Sequence, residues 1–282
     1  MNILPPQLAQ GGGHGSDVRP SCLNAAIQSG EAAELMTAPV TVTIVKSLNG
    51  MTAAFLWSED DCVRLRGKGR IAVSPIGHCT VKVATNGKAA AVPVLLADDE
   101  LFTAAHLGWL RCIDATTDAE IAPWPTLDAN AAAASSSGCA TMLWRRRYTF
   151  ADLWSKGYRM TSGIKFGVDF LAYRADPSTC HAAFMVAIFG QCDDDGSSPA
   201  SRARLVSPMD LVARSRVATT ALKICVLAYV NDNNGSVSYE AFKRMGVGHA
   251  VFAAGSAAAT TIGVADAVSL APLAGRSDPV TP

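Results

Sequence analysis

The chain has 282 residues, of which 49% are hydrophobic, and its 24 basic side chains balance its 24 acidic ones. This hydrophobic share is enough to build a buried core, so the composition excludes a wholly disordered protein. Zero net charge argues against a protein that coats nucleic acid through bulk charge, although it leaves room for a local basic site. No apolar run approaches the roughly 18–20 residues that cross a bilayer, and the first residues lack the charged leader of a secretory signal. We therefore expect no contact with a membrane.

The cysteines and acids do not suggest a metal site. The eight cysteines include no Cys-x-x-Cys pair, and the acids form no cluster with histidine or cysteine. None of the lysines has an acid two positions before it, which metal-dependent nucleases of the restriction type usually show. Phosphate-binding glycine motifs and serine nucleophile motifs are also absent. We expect reduced thiols, no metal and no cofactor.

Composition divides the chain into five parts. Glycine, proline and alanine dominate both the first residues and a stretch near the middle, which is typical of leaders and linkers. The predicted parts are a flexible leader over 1–38, a small N-terminal α+β domain over 39–114, a linker over 115–147, a second α/β domain over 148–264 and a tail over 265–282.

The first predicted domain opens with a hairpin. Residues 41–46 and 51–57 read as two strands joined by Asn49-Gly50, a strong turn signal. Ser58 with Asp61 three residues later predicts the capped start of a helix. Further along the chain we predict strands over 70–73 and 89–96, a short amphipathic helix ending near Gly108, and the strand LRCI after it.

The second predicted domain begins with a helix. Thr149 with Asp152 resembles a capping box, and Gly157 ends the helix. Strands follow at 168–173 and 181–189. A polar insertion over 193–208, a helix over 209–223, the apolar strand ICVLAYV and a closing strand VSYEAF come after them.

Charge is unevenly distributed. Residues 145–264 carry 14 basic and 9 acidic side chains, whereas residues 1–144 carry 9 basic and 13 acidic ones. A phosphate ligand is therefore expected on the second domain.

Three residues of that domain could carry chemistry. Tyr173 ends a predicted strand, His181 begins the next one eight residues later, and Lys223 enters ICVLAYV. A lysine at the mouth of an apolar strand needs water or an anionic partner. The residues alone leave structural roles open for all three.

The surrounding motifs resemble the catalytic domain of tRNA-splicing endonucleases. That family reads Ser-Gly-x-Lys-Phe-Gly-x-Asp-Phe-Leu-x-Tyr, then a histidine after eight residues, then Arg-Val with a lysine before an apolar strand. The segments SGIKFGVDFLAYRADPSTCH and RVATTALKICVLAYV of this chain are similar to it. The resemblance implies a central mixed sheet flanked by helices, like that of restriction endonucleases. It places the family's catalytic tyrosine, histidine and lysine on Tyr173, His181 and Lys223.

The first domain resembles the N-terminal domain of the smaller catalytic subunit, which cuts at the 3′ splice site. The similar segments are FLWSEDDCVRLRGKGRIAVSPIG and VPVLLADDELFTAAHLGWL. Arg174-Ala175 replaces the Pro-Gly that usually follows the tyrosine in that subunit. SRVATTALK is also similar to the larger catalytic subunit. The alternatives are therefore the larger subunit, which cuts the 5′ splice site, a non-catalytic structural subunit, and a generic RNA-binding module.

The resemblance implies metal-free RNA cleavage. The 2′-hydroxyl attacks phosphorus and leaves a 2′,3′-cyclic phosphate and a 5′-hydroxyl. Tyr173 would be the base, His181 the acid and Lys223 the cation beside the phosphorane. Lys165 and, more weakly, Arg174 are candidates for substrate binding.

The family also implies partners and a compartment. We expect intron-containing pre-tRNA as substrate, recognised by shape and bulged nucleotides. We expect a heterotetramer with a second catalytic subunit and two structural subunits. By analogy the protein acts in the nucleus, with a cytoplasmic site as the alternative.

Overall fold

The computed structural model describes residues 21–31, 33, 38–46, 52–72, 74–75, 92–121, 138–191, 206–231 and 235–242. These residues contain five helices, one 3-10 turn and eleven strands, which pair into two mixed sheets. The mixed α+β class predicted from the sequence, with a central mixed sheet and flanking helices, is confirmed.

The first sheet is built on the predicted hairpin. Val40, Val42 and Ile44 alternate with less buried residues, as one apolar strand face requires. The strand that contains them pairs antiparallel with the second strand of the hairpin and parallel with the strand LRCID. The six strands, in the order β3-β4-β2-β1-β5-β6, are β1 (Val40–Lys46), β2 (Thr52–Leu56), β3 (Ser74–Pro75), β4 (Val94–Leu96), β5 (Leu110–Asp114) and β6 (Glu120–Ile121).

Three helices belong to the first part of the chain. α1 spans Ser21–Gln28, α2 spans Glu59–Gly67 and α3 spans Asp98–His106. The predicted cap of α2 is confirmed, because the Ser58 Oγ accepts a hydrogen bond from the Asp61 amide at 3.2 Å.

The second sheet has five strands. Its order is β11-β10-β9-β8-β7, with β9 and β10 parallel and the other pairs antiparallel. The strands are β7 (Arg159–Ser162), β8 (Phe170–Tyr173), β9 (Phe184–Gln191), β10 (Ile224–Asn231) and β11 (Val237–Phe242).

One long helix, α4 (Gly138–Ser155), connects the two sheets through a shared core. It packs against α1 and α3 and against strands of the second sheet. Its residues Leu153 and Trp154 are fully buried in a cluster that includes side chains from both sheets. The opposite face of the second sheet carries a smaller cluster, which α5 (Pro208–Thr220) covers.

The structure differs from the predicted elements in several places, one of which is the short strand β6 inside the predicted linker. Residues 21–28 form α1, whose Leu23 is fully buried, because a short apolar stripe in a leader-like composition finds a core to pack on. α4 begins at Gly138 within the predicted linker, so Thr149 is a buried mid-helix residue and not a cap. Residues 70–72 are irregular, and Arg70 has a φ of 57°.

Several predicted features lie outside the described residues. They are the leader up to residue 20, the Asn49-Gly50 turn, most of the polar insertion and the tail. Of the described helices, none is long and apolar enough to cross a bilayer.

Candidate active site

The turn between β7 and β8 explains the glycines of the motif. A Cβ on Gly163 would lie 2.6 Å from the Val168 side chain and 2.8 Å from its carbonyl oxygen, so no larger residue fits. The 3-10 turn Ile164–Phe166 follows, and Gly167 ends it with a φ of 69°, in the left-handed region that favours glycine. The backbone therefore dictates the spacing of both glycines.

The aspartate of the motif holds the strand that follows this turn. The Asp169 carboxylate accepts a hydrogen bond from the Ile188 amide at 2.9 Å and another from Arg146 at 2.9 Å. It thereby ties the start of β8 to β9 and to α4. Asp169 fixes the strand on which Tyr173 is the last residue.

The ladder of the second sheet brings Tyr173 and Lys223 to one edge. Ala183, just before β9, donates a hydrogen bond to the Ala172 carbonyl at 2.9 Å and accepts one from the Ile224 amide at 3.0 Å. Tyr173 follows the first partner and Lys223 precedes the second. Because neighbouring strands lie about 4.8 Å apart, we expect their Cα atoms to be separated by about 10 Å, with only β9 between them.

The two side chains also share a face of the sheet. Side chains alternate along a strand, so Tyr173 lies on the face of Leu171 and Lys223 on that of Cys225. Leu171 and Cys225 both belong to the cluster beneath α5. The phenol and the ammonium group are therefore placed at the same edge and on the same side.

Both side chains are half-buried and make few contacts. The Tyr173 hydroxyl accepts a hydrogen bond from Thr161 at 3.3 Å. The Lys223 Nζ donates to the Ala221 carbonyl at 3.1 Å and lies 5.6 Å from the centre of the Phe166 ring. In the described part of the chain, no carboxylate lies within ion-pair distance of Lys223, so its charge is open to an anion.

His181 lies at the same edge, on the segment that enters β9. It precedes Ala183 by two residues, and its side chain is exposed. The structure thus places all three predicted residues at one end of the sheet, with the imidazole facing solvent.

The two candidates for substrate binding are exposed as well. Lys165 lies in the 3-10 turn, and Arg174 directly follows Tyr173. The Arg174 guanidinium lies 5.7 Å from the centre of the Phe184 ring. Over the described ranges, no group of three His, Cys, Asp or Glu side chains is placed to hold a metal ion.

Comparison with known proteins identifies this part of the chain. Residues 143–239 match the family described as tRNA intron endonuclease, catalytic C-terminal domain. This region is therefore similar to the catalytic domain of tRNA intron endonucleases. The matched residues include Tyr173, His181 and Lys223.

Proteins named tRNA-splicing endonuclease are similar to part of this chain. Those of Sulfurisphaera tokodaii and Saccharolobus islandicus are 33% identical over 94 residues, and that of Sulfolobus acidocaldarius is 29% identical over the same length. The matched region is 33% of this chain and 46% of each relative. The chain therefore spans about half the length of the curated relatives it matches.

Sequence reasoning missed the residues that hold the loop between Tyr173 and His181. Asp176 in that loop accepts hydrogen bonds from Arg66 of α2 and from Arg159 of β7. The Asp-Pro turn was visible in the sequence. Its partner Arg66 lies 110 positions away, so no local pattern could have indicated the contact.

Four cations of the matched region have no acidic partner among the described residues. None of Lys165, Arg174, Arg216 and Lys223 lies within ion-pair distance of a carboxylate. Arg214 of α5 donates a hydrogen bond to the Gly167 carbonyl and so lies beside the 3-10 turn. Lys165 and Arg174, which flank β8, and Lys223 therefore offer positive charge that suits a phosphate backbone.

Proposed function

We propose that this chain is the catalytic subunit of a tRNA-splicing endonuclease that cleaves intron-containing pre-tRNA at the 3′ splice site. The observation that carries the proposal is the shared edge and face of Tyr173 and Lys223, with His181 exposed on the adjoining segment. A phenol, an imidazole and an ammonium group at one site can cleave RNA without a metal.

The chemistry assigns one task to each group. Tyr173 accepts the proton of the 2′-hydroxyl, whose oxygen attacks the adjacent phosphorus. The bond from phosphorus to the 5′ oxygen breaks, and His181 gives a proton to that leaving oxygen. Lys223 stabilises the charge on the non-bridging oxygens of the phosphorane. The products are a 2′,3′-cyclic phosphate and a 5′-hydroxyl.

Positioning of the RNA falls to cations of this site that have no carboxylate partner among the described residues. Lys165 and Arg174 are exposed on either side of β8 and would contact phosphates next to the scissile bond. A phenol can take up a proton only as its phenolate, an anion that a neighbouring cation stabilises. The ammonium group of Lys223 lies at the same edge and face and would fill that role.

The 3′ assignment rests on the first part of the chain. Its segments 55–77 and 92–110 resemble the N-terminal domain of the smaller catalytic subunit. By the same resemblance, the proposal includes a second catalytic subunit, two structural subunits and action in the nucleus. The larger subunit's role at the 5′ splice site is the alternative, because SRVATTALK is similar to that subunit.

Mapping both cuts in the assembled complex tests the proposal. The complex is isolated through a tag on this full chain and given intron-containing pre-tRNA in excess EDTA. The wild type should make both cuts, and His181→Ala should lose the 3′ cut alone. Arg111→Ala is the control, because Arg111 forms an exposed ion pair with Glu120 far along the chain from the site.

Each other outcome rejects a named part of the proposal. Loss of all cleavage in EDTA rejects the metal-free mechanism. Loss of the 5′ cut assigns the chain to the larger subunit's role. Unchanged cleavage by His181→Ala rejects a catalytic role for this chain and favours a structural subunit. Fragments ending in a 5′-phosphate reject the attack by the 2′-hydroxyl.

A further inference from the structure

The loop between β8 and β9 is organised by one aspartate. The Asp176 carbonyl accepts hydrogen bonds from the amides of Thr179 at 2.9 Å and Cys180 at 3.2 Å. Its carboxylate accepts from the Ser178 amide at 2.8 Å and from the Ser178 hydroxyl at 2.6 Å. Asp176 thus sets the path of the backbone up to the residue before His181.

Two arginines hold this carboxylate from outside the loop. Arg66 donates from Nε at 3.2 Å and from Nη2 at 3.0 Å to the two oxygens of Asp176, which is the bidentate geometry that fixes both partners. Arg159 donates to the same carboxylate at 3.3 Å. Arg159 pairs directly with Tyr173 across β7 and β8, so the network reaches both ends of the loop.

The same arginines connect the loop to the first sheet. Arg66 lies near the end of α2, and Arg159 donates to the carbonyls of Arg66 and Gly67 in that helix. α2 packs on β1 and β2 of the first sheet. The loop that ends at His181 is therefore anchored on a part of the molecule outside residues 143–239.

The side chains of this network are shielded enough from solvent for their ion pairs to contribute to stability. The side chains of Arg159 and Asp176 are 10% and 25% exposed, whereas the surface pair Arg111–Glu120 is more than half exposed. Burial alone would favour the neutral carboxyl, but the hydrogen bonds from Arg66 and Ser178 outweigh it and hold the pKa of Asp176 at about 2. The carboxylate is therefore charged at every pH at which the protein would work.

We propose that Arg66 and Asp176 are positioning residues that hold the loop over 174–180, so that His181 is presented to the edge where Tyr173 and Lys223 lie. The proposal rests on the function proposed above. It implies that the first part of the chain supports the active site through Arg66, so loss of this contact impairs the cleavage step and not only the fold.

Single-turnover cleavage by the full chain in its complex tests this role. Arg66→Ala and Asp176→Asn should slow cleavage at saturating RNA by about 10- to 100-fold, the range expected for small misplacements of a reacting group. The dissociation constant for RNA should stay within about twofold. Asp176→Asn keeps an acceptor for Ser178 and loses the charge, so it weakens the links to Arg66 and Arg159 and leaves the turn within the loop intact.

A double variant separates positioning from general destabilisation. If Arg66 acts through Asp176, Arg66→Ala with Asp176→Asn should be no slower than the more impaired single variant. Independent, multiplying effects would overturn the proposal. Arg111→Ala, whose exposed ion pair serves as the matched control, should match the wild type.

Hydrogen exchange provides a readout that needs no activity. In Arg66→Ala the amides of Ser178, Thr179 and Cys180 should exchange faster, while those of β8 and β9 keep their protection. Unchanged exchange in this loop would overturn the proposal, as would faster exchange with unchanged cleavage. If the wild-type complex fails to cut pre-tRNA, the proposed function fails, and exchange still decides whether Arg66 anchors the loop.

Discussion

Basic residues serve opposite purposes in two regions of this molecule. Where α3 meets α4, Arg147 binds both oxygens of Asp98 at 2.8 and 3.0 Å, and Arg146 binds Asp99 and Asp169 at 2.9 Å each. We call this group the seam. At the end of the second sheet, Lys223 and its neighbouring cations have no such partners in the described residues. The comparison separates cations that build the fold from cations left for a ligand.

The seam gives a structural role to a run of three arginines. The run Arg145–Arg147 lies in a region that the composition predicts to be a linker. In the structure it lies in α4, and two of its members join α4 to the acidic first turn of α3. The acids there also favour the start of α3 through the helix dipole. The acids of the seam thus offset both the arginine charges and the dipole of α3. The paired arginines therefore do not attract phosphate.

Removing the ammonium group at the site should give the largest effect. We expect Lys223→Ala to slow single-turnover cleavage at least about 100-fold, because the charge of the transition state loses its stabilising partner. Its thermal unfolding should match the wild type, since the ammonium group of Lys223 contacts only a carbonyl and a ring among the described residues. Lys68→Ala, at an exposed lysine, is the control and should retain full activity. Equal losses in both variants would contradict a specific role for the Lys223 charge.

Removing the central arginine of the seam should affect stability instead. We expect Arg146→Ala to lower the free energy of unfolding by about 2–3 kcal/mol, because the buried Asp99 carboxylate loses its partner. Urea unfolding measures the loss. Adding Asp99→Asn to that variant should recover part of it, since the unpaired charge is then gone. A double variant less stable than Arg146→Ala alone would contradict this account.

A third expected effect concerns pH and a buried acid beside the seam. Burial raises the pKa of Glu100 to about 8, although its side chain accepts a hydrogen bond from the Ala97 amide at 2.9 Å. The folded chain then binds this proton more tightly than the unfolded chain, whose glutamates titrate near 4.5. Stability should therefore fall as the pH rises from about 4.5 to 8, by on the order of 1 kcal/mol per pKa unit.

Glu100→Gln tests that pH dependence. The variant should show a flatter curve of unfolding free energy against pH between 5 and 8. Burial also raises the pKa of Asp99 to about 6, so a smaller slope in the same direction should remain below that pH. Glu120→Gln, at an exposed glutamate, should keep the full slope of the wild type. An unchanged slope in Glu100→Gln would show that this carboxyl is not the source.

The smallest expected effect concerns RNA binding by an exposed cation. Arg216 lies on α5 and is exposed, so we expect its contacts with RNA to be phosphate contacts. Arg216→Ala should reduce the slope of log K against log salt concentration by about one, with little change in the cleavage rate. Salt titrations of RNA binding measure the slope. The same slope in Arg216→Ala and wild type would show that Arg216 on α5 does not contact the RNA.

Local chemistry made much of the fold predictable. The alternation of Val40, Val42 and Ile44, the cap at Ser58 and the glycine at the end of α4 each depend on residues within a few positions of one another. The misreadings have a common cause. The start of α4 and the burial of Thr149 depend on the elements that pack around the helix. Amino-acid composition gives only the average polarity of a segment and does not show these contacts.

By itself, the sequence determined the class of the fold, the turn glycines and the identity of the three residues proposed for chemistry. Each of these depends on short-range patterns or on a motif. The tertiary structure alone decided that Tyr173 and Lys223 share an edge and that Arg66 holds the loop leading to His181. Strand order, register and ion pairs join residues that are far apart in the chain. Such contacts follow from how the elements pack, and no local pattern of residues encodes them.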